Sequence, residues 1–198
     1  HGYGNALKFK RTVEELESAG VAALTIEDTA LPQPFGALGK PRLISILEGV
    51  GKMQAALAGR QDPALVIAGR TGAMGIAGLD ETIARAKAYQ AAGVDALFFT
   101  GVNTREQLAA IAAAVALPIF LGGAGPGLGD RGYLAAKGVR ISLQGHQPIM
   151  AAVQAVYDTL RALRDGAPPA ALPGIASNDL MKRLTRDADY AAWSKRFL

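Results

Sequence analysis

The stretch Ala19-Gly20-Val21-Ala22-Ala23-Leu24 decides the fold, because its pattern returns further along the chain. It recurs as Ala92-Gly93-Val94-Asp95-Ala96-Leu97, and more loosely as Lys137-Gly138-Val139-Arg140-Ile141. In each copy the glycine is expected to stop a helix, and a strand follows directly. The chain is therefore built from one repeated helix-to-strand unit.

Continuous apolar runs predict the strands, and a continuous run indicates burial on both faces of a parallel sheet. Strands are expected near 21–27, 65–69, 95–101, 118–122 and 139–144. Helices are expected near 6–19, 79–92 and 147–164. Two more helices should begin after Ser45 and Thr104, each followed three residues later by the Glu or Gln of a capping box. Strand and helix alternate, which is typical of the α/β class.

Five parallel strands cannot close a barrel, and nothing suggests the reversal of strand order found in a doubly wound sheet. We therefore expect a (β/α)8 TIM-type barrel of which residues 1–166 carry the last five βα units. Since a complete barrel has eight units, the first three are expected upstream of His1.

Residues 167–198 are expected to form a proline-rich linker and a helical tail, with short amphipathic segments near 177–185 and 187–197. Tyr190, Trp193 and Phe197 of this tail need a surface that buries them. A neighbouring subunit is the expected surface.

Composition excludes several classes of protein. Half of the residues are hydrophobic and there is no cysteine, so a disulfide scaffold, a thiolate metal site and a cysteine nucleophile are excluded. The net charge of +4 is mild and its cations are interspersed with acids, which favours a small anionic substrate over nucleic acid. The long uncharged run from Leu108 to Gly129 is broken by Pro118 and several glycines, so no membrane span is expected. A cytoplasmic protein fits this composition.

Acids, a guanidinium and an imidazole follow successive strands. Glu27 and Asp28 end the first strand, Arg70 follows the second, and His146 follows the last. The carboxyl ends of barrel strands are where such folds keep their chemistry. Glu27 offers an oxygen ligand that Mg²⁺ could use directly or through water. Alternatively, the two acids pair with Arg70 or cap the following loop.

Arg70 and His146 are the candidate catalytic and substrate-binding residues. The planar fork of Arg70 suits bidentate binding of a carboxylate, although a buried ion pair with Glu27 is its structural alternative. His146 can donate a hydrogen bond to a carboxylate or enolate oxygen, or supply a proton, and helix capping is its alternative. A 2-keto dicarboxylate chelated to a hard cation can lose its distal carboxylate as CO₂, because the cation stabilises the resulting enolate.

Four motifs in order resemble the isocitrate lyase/phosphoenolpyruvate mutase superfamily. They are His1-Gly2-Tyr3-Gly4-Asn5, Leu24-Thr25-Ile26-Glu27-Asp28-Thr29, Glu48-Gly49-Val50-Gly51-Lys52 and Gly69-Arg70-Thr71. The chain is most similar to the oxaloacetate decarboxylase branch, because Leu31-Pro32 and Phe35-Gly36 follow the first acids and Gln144-Gly145-His146 closes the last strand.

The resemblance implies a Mg²⁺-dependent carboxy-lyase, with Mn²⁺ as a possible substitute, that converts oxaloacetate to pyruvate and CO₂. It implies that the main metal ligands, an Asp-x-Asp pair, lie upstream of His1, and that Gly2 and Tyr3 contact the substrate. It also implies a homotetramer in which the final barrel helices swap between subunits.

Two other functions stay open. A C–C bond lyase or phosphonomutase-type enzyme is disfavoured, because the loop from Ala30 to Pro41 has neither the Cys and His of the related lyases nor the Asn of the mutases. A catalytically weakened ligand-binding or assembly member is favoured by Gly72, where relatives carry Asp or Asn. The Gly122 to Gly127 stretch supports the same alternative, since it lacks the tyrosine of the decarboxylase branch.

Overall fold

The computed structural model describes residues 4–32, 35–36 and 39–198, which form two compact units divided between Gly145 and His146. The first unit contains one parallel sheet whose strand order is the order of the sequence. The strands are β1 Ala23–Glu27, β2 Val66–Thr71, β3 Ala96–Phe99, β4 Ile119–Leu121 and β5 Val139–Ser142. All five predicted strands are confirmed, and β2 runs two residues further than predicted, so Arg70 lies inside it.

Of the helices in the described residues, six belong to the first unit and three to the second. The first six are α1 Ala6–Ser18, α2 Ile46–Gly59, α3 Ala73–Ile76, α4 Leu79–Ala92, α5 Arg105–Ala114 and α6 Arg131–Ala136. The second unit contains α7 Gln147–Arg164, α8 Asn178–Leu184 and α9 Asp187–Phe197. Single 3₁₀ turns occupy Pro126–Leu128 and Pro169–Ala171.

Local sequence signals set the helix ends as predicted. Ser45 accepts a hydrogen bond from the Glu48 amide at 3.1 Å, and Thr104 and Gln107 form a complete capping box. The glycines of the repeat, Gly20, Gly93 and Gly138, have φ angles of 82°, 97° and 78°, which other residues adopt at a steric cost. Glycine is therefore what allows each helix to turn directly into the next strand.

An unreversed strand order places the connecting helices on one face of the sheet, because parallel crossovers are right-handed. Accordingly, α1 packs against α2, α2 against α4, and α4 against α5. The core lies between these helices and the strands. It includes the fully buried strand residues Ile26, Ile67, Leu97 and Leu121 and the helix residues Phe9, Val13, Met53, Tyr89 and Ile111. The reversal that defines a doubly wound sheet is absent from the strands of the described residues.

Side chains brace the loops at the amino ends of the strands. Glu17 accepts hydrogen bonds from the backbone amides of Gln61 and Asp62, and Gln90 accepts from those of Ala116 and Leu117. Asp95 accepts from the Ile67 amide at 2.8 Å and pairs with Arg60. These contacts fix the loops at the amino ends of the strands and do not involve residues at the carboxyl ends.

No helix of the described residues is both long enough and apolar enough to cross a bilayer. In the second unit, α7 has an exposed apolar stripe and none of its residues is buried. The predicted tail helices are confirmed as α8 and α9, and Tyr190, Trp193 and Phe197 are exposed on α9.

Candidate active site

The strand register brings Glu27, Arg70, Phe98 and Phe120 into one row across the sheet. Glu27 pairs with Arg70, Arg70 with Phe98, and Phe98 with Phe120. Their neighbours Ile26 and Leu97 belong to the core under the helices. Because successive strand residues face opposite ways, the row lies on the face away from the helices. It stands at the carboxyl ends of β1 and β2, as predicted for Glu27 and Arg70.

Arg70 is held by two neighbours in this row. Its Nε lies 3.4 Å from Oε2 of Glu27, and its guanidinium carbon lies 4.8 Å from the centre of the Phe98 ring. The ion pair with Glu27, stated as the structural alternative for Arg70, is present, and the Arg70 side chain is one third exposed. Among the described residues, Arg70 makes no side-chain hydrogen bond, and its buried Nε has no hydrogen-bond partner. A guanidinium with unused donors, on an aromatic face at a strand end, can receive a carboxylate.

Within the described residues of this row, Glu27 provides the carboxylate oxygens that could bind a metal ion. Its Oε1 accepts a hydrogen bond from the Thr29 hydroxyl at 3.1 Å. The described residues contain no group of three or more acids, histidines or cysteines that could hold a metal ion. Glu27 fits the oxygen chemistry of a Mg²⁺ ligand, but the described residues do not complete a metal site.

A second row lies two residues further along each chain segment, just past the ends of β2, β3 and β4. It consists of Thr100 with Gly72 on one side and Gly122 on the other. A side chain at Gly122 would place its Cβ 2.7 Å from Cγ2 of Thr100 and 3.1 Å from the Phe98 ring. A Cβ at Gly72 would lie 3.3 Å from Oγ1 of Thr100. The lack of side chains at the two glycines therefore accommodates Thr100 and the Phe98 ring.

Asp28 turns to the opposite face and is fully buried. Its Oδ2 accepts hydrogen bonds from Nη1 of Arg85 at 2.9 Å and from the Tyr89 hydroxyl at 2.6 Å. Burial raises the pKa of Tyr89, as does the neighbouring Asp28 charge. Burial alone would lower the pKa of Arg85, but its hydrogen bonds to Asp28 and Tyr89 outweigh this effect and raise it. The ion-pair partner of Asp28 is therefore Arg85 and not Arg70, the partner that the structural alternative named.

Sequence reasoning missed Arg85, Tyr89 and Lys52 as supporting residues. Arg85 and Tyr89 lie four residues apart on α4, a spacing that places both on one helix face, and this was the available signal. Lys52 of α2 is buried and donates from Nζ to the Glu27 carbonyl oxygen at 2.9 Å. Burial lowers the pKa of Lys52, although the nearby acids Glu48, Asp28 and Glu27 oppose this shift.

The remaining predicted site residues are placed as follows. His146 is the N-cap residue of α7 in the second unit, and its side chain makes no capping hydrogen bond. Gly2 and Tyr3 lie outside the described residues.

A groove of about 950 Å³ runs along β1, but neither Glu27 nor Arg70 lines it. Phe9, Leu16, Leu24 and Leu31 give it an apolar wall, and Lys52 is one of its polar residues. The groove is therefore separate from the row of Glu27 and Arg70.

A parallel sheet in sequence order, with its connecting helices packed together on one face, places the chain in the α/β class. The chain belongs to the phosphoenolpyruvate phosphomutase family, whose model matches residues 1–164. The resemblance to the isocitrate lyase/phosphoenolpyruvate mutase superfamily is thereby confirmed.

Curated relatives of the chain at about 60% identity are oxaloacetate decarboxylases. That of Bradyrhizobium sp. (strain BTAi1 / ATCC BAA-1182) is 62% identical over 189 residues, which is 96% of this chain and 65% of the relative. That of Bradyrhizobium sp. (strain ORS 278) is 61% identical over 198 residues, covering 100% of this chain and 68% of the relative. The chain thus spans about two thirds of the length of these relatives.

Solved structures of other superfamily enzymes share the fold. A phosphonopyruvate hydrolase in complex with oxalate and Mg²⁺ is 29% identical, with a TM-score of 0.78 over 99% of this chain and 70% of that one. An oxaloacetate acetylhydrolase in complex with the inhibitor 3,3-difluorooxaloacetate is also 29% identical, with a TM-score of 0.75 over 96% of this chain and 68% of that one.

Proposed function

We propose that the protein is a Mg²⁺-dependent decarboxylase of 2-keto dicarboxylates that converts oxaloacetate to pyruvate and CO₂. The observation that carries this proposal is Arg70, whose guanidinium lies at the strand ends beside Glu27 with donors unused by the described residues. The naming of the 60% identical relatives supports the choice of oxaloacetate.

The reaction breaks the bond between the methylene carbon and the distal carboxylate. The bonding electrons pass into the keto group to give an enolate, CO₂ leaves, and one proton added to the methylene carbon gives pyruvate. A bound Mg²⁺ would supply positive charge for the keto oxygen. Arg70 binds a substrate carboxylate through its fork, which orients the substrate over Phe98. Glu27 balances the charge of Arg70 and can contribute an oxygen to the metal.

His146 is proposed to donate a hydrogen bond to the departing carboxylate or the enolate, or to supply the proton. Gly2 and Tyr3 are proposed as further substrate contacts, as the family resemblance implies. The Asp-x-Asp pair implied upstream of His1 is proposed to provide the other metal ligands, because the described residues do not complete a metal site.

The architecture that we propose for the protein is a closed (β/α)8 barrel, with residues 1–166 forming five of its units and residues 167–198 a linker and tail. Within the described residues β1 and β5 are the edges of the sheet, and closure would pair both of them with further strands. The exposed aromatic residues of α9 support a homotetramer with exchanged C-terminal helices. The absence of cysteine from the sequence supports work in the cytoplasm.

One observation favours a second function. The row of Gly72, Thr100 and Gly122 presents a single polar side chain, so a catalytic amide or carboxylate is missing from it. A ligand-binding member of the family with little turnover would have such a site.

Pyruvate release from oxaloacetate by the full-length protein tests the proposal, after subtraction of metal-catalysed background. We expect the protein to release pyruvate in the presence of Mg²⁺ or Mn²⁺ and to release none in excess chelator. Arg70→Lys should raise KM about tenfold, because the charge survives but the fork does not. Arg105→Lys is the matched control, since Arg105 also stacks on an aromatic ring, that of Tyr133, and pairs with an acid, Asp130. No release above background from the parent protein would favour the ligand-binding function.

A further inference from the structure

We propose that Asp28, Arg85 and Tyr89 form a buried clamp that positions the Glu27 carboxylate beside Arg70. The three are thus positioning residues of the active site rather than substrate contacts. This inference rests on the proposed function, because that function needs Glu27 in a fixed place.

The first component of the clamp is a closed circuit of hydrogen bonds around residue 28. Nη1 of Arg85 donates to Oδ2 of Asp28 at 2.9 Å, and Nη2 donates to the carbonyl oxygen of Ile44, also at 2.9 Å. The Ile44 amide in turn donates to the carbonyl oxygen of Asp28 at 2.9 Å. The guanidinium fork therefore fixes both the side chain and the backbone of residue 28, which a lysine could not do.

Tyr89 is the second component, and two glycines make room for it. Its hydroxyl donates to Oδ2 of Asp28 at 2.6 Å. A Cβ at Gly49 would lie 2.4 Å from that hydroxyl oxygen, and a Cβ at Gly69 would lie 3.2 Å from the Tyr89 Cβ. α2 and β2 thus have glycines at the two positions where a side chain would collide with Tyr89.

The clamp reaches Glu27 through the backbone. The carbonyl oxygen of Glu27 accepts a hydrogen bond from Lys52, and that of Asp28 accepts one from Ile44. Two successive peptide planes are therefore held, which sets the direction in which the Glu27 side chain leaves β1. With that direction set, the Glu27 carboxylate meets the Thr29 hydroxyl and Arg70 on the opposite face.

Stability alone gives no reason for this arrangement. Replacing a buried ion pair by apolar side chains of similar volume is often neutral or stabilising, because burial of the charges is costly. Asp28 also keeps one buried oxygen, Oδ1, without a hydrogen-bond partner among the described residues. The buried network of Asp28, Arg85 and Tyr89 therefore fits a positioning role. It fixes the direction of the Glu27 side chain, and active sites depend on sub-ångström placement of such groups.

The test compares two Tyr→Phe variants of the full-length protein. Tyr89→Phe removes a hydroxyl that donates to Asp28, and Tyr133→Phe removes one that donates to the Arg105 carbonyl oxygen at 2.8 Å. We expect Tyr89→Phe to lower kcat at least about tenfold with a smaller change in KM, since slight misplacement of a site residue acts mainly on the transition state. Tyr133→Phe should leave kcat unchanged.

Arg85→Lys is the second variant, and it should lower kcat in the same direction. Melting temperatures of all variants separate a loss of fold from a loss of position. Parental kcat in both Tyr89→Phe and Arg85→Lys would overturn the clamp. If the parent does not decarboxylate oxaloacetate, the proposed function fails, and calorimetric titration with oxalate and Mg²⁺ then decides the clamp. Weaker oxalate binding by Tyr89→Phe than by Tyr133→Phe would support it, and equal binding would overturn it.

Discussion

Two adjacent acids at the end of β1 have different surroundings, because Glu27 and Asp28 point to opposite faces of the sheet. Glu27 faces the row that carries Arg70, whereas Asp28 is buried against α4. Substitution of Glu27 and substitution of Asp28 are therefore expected to have different effects. Loss of Glu27 would alter the charge beside the substrate, and loss of Asp28 would leave Arg85 buried without its main counter-charge.

His146 offers a test of chemistry at little structural cost. It is exposed, and its side chain makes no capping hydrogen bond to α7. His146→Ala should therefore keep the parental melting temperature and lower kcat more than it changes KM, because a donor to the departing group matters most as charge moves. Steady-state pyruvate release measures both constants. Gln147→Ala, one residue further on, is the control, and parental kcat in His146→Ala would remove the histidine from the mechanism.

Tyr89 predicts a pH dependence of stability at alkaline pH. Burial and the Asp28 charge raise its pKa in the folded protein above the ordinary value of about 10. The folded state then holds a proton that the unfolded state releases, so this contribution is complete below about pH 10 and is lost as the pH rises above it. The difference in unfolding free energy between parent and Tyr89→Phe should be constant below about pH 10 and shrink as the pH rises above it. Urea unfolding at several pH values measures it, and a constant difference would contradict the prediction.

At the scale of the element, two of the three glycines of α2, Gly49 and Gly51, have opposite roles. A Cβ at Gly49 would strike the Tyr89 hydroxyl at 2.4 Å, whereas nothing lies within 4 Å of one at Gly51. Gly49→Ala should destabilise the protein by about 1–3 kcal/mol through overpacking. Gly51→Ala should stabilise it by roughly 0.5–1 kcal/mol, because alanine is the better helix former. Chemical denaturation measures both, and two changes of the same sign would show that Tyr89 does not fill the space beside α2.

The elements that sequence predicted well are those whose signals are local. The starts of α2 and α5 follow from Ser45 and Thr104, each of which bonds an amide three residues away. The clamp was not predictable in this way, since Arg85 and Tyr89 reach Asp28 across 57 and 61 residues of chain. The extension of β2 through Arg70 was also missed, because pairing with β1 and β3 prolongs the strand past its apolar run.

At the scale of the molecule, the apolar stripe of α7 is expected to bind a second copy of the protein. Val153, Val156, Tyr157 and Leu160 are each more than half exposed on this helix. Val153→Lys combined with Leu160→Lys should shift the full-length protein from the proposed tetramer to smaller species, because charge would then be buried at the interface. Gln154→Lys, at a polar exposed position of the same helix, is the control. Analytical ultracentrifugation reports the species, and an unchanged tetramer would show that the stripe lies outside the interface.

The bracing of the loops at the amino ends of the strands has a consequence for engineering. Glu17, Gln90 and Asp95 fix those loops from one end of the sheet, while Glu27 and Arg70 stand at the other. The residues that fix the loops and the residues proposed for the reaction therefore lie at opposite ends of the sheet. Thermostabilising substitutions can be concentrated at the braced end, and libraries aimed at new substrates at the opposite rim. Because changes at distant, independent sites add almost linearly, the two sets can be evolved in parallel and then combined.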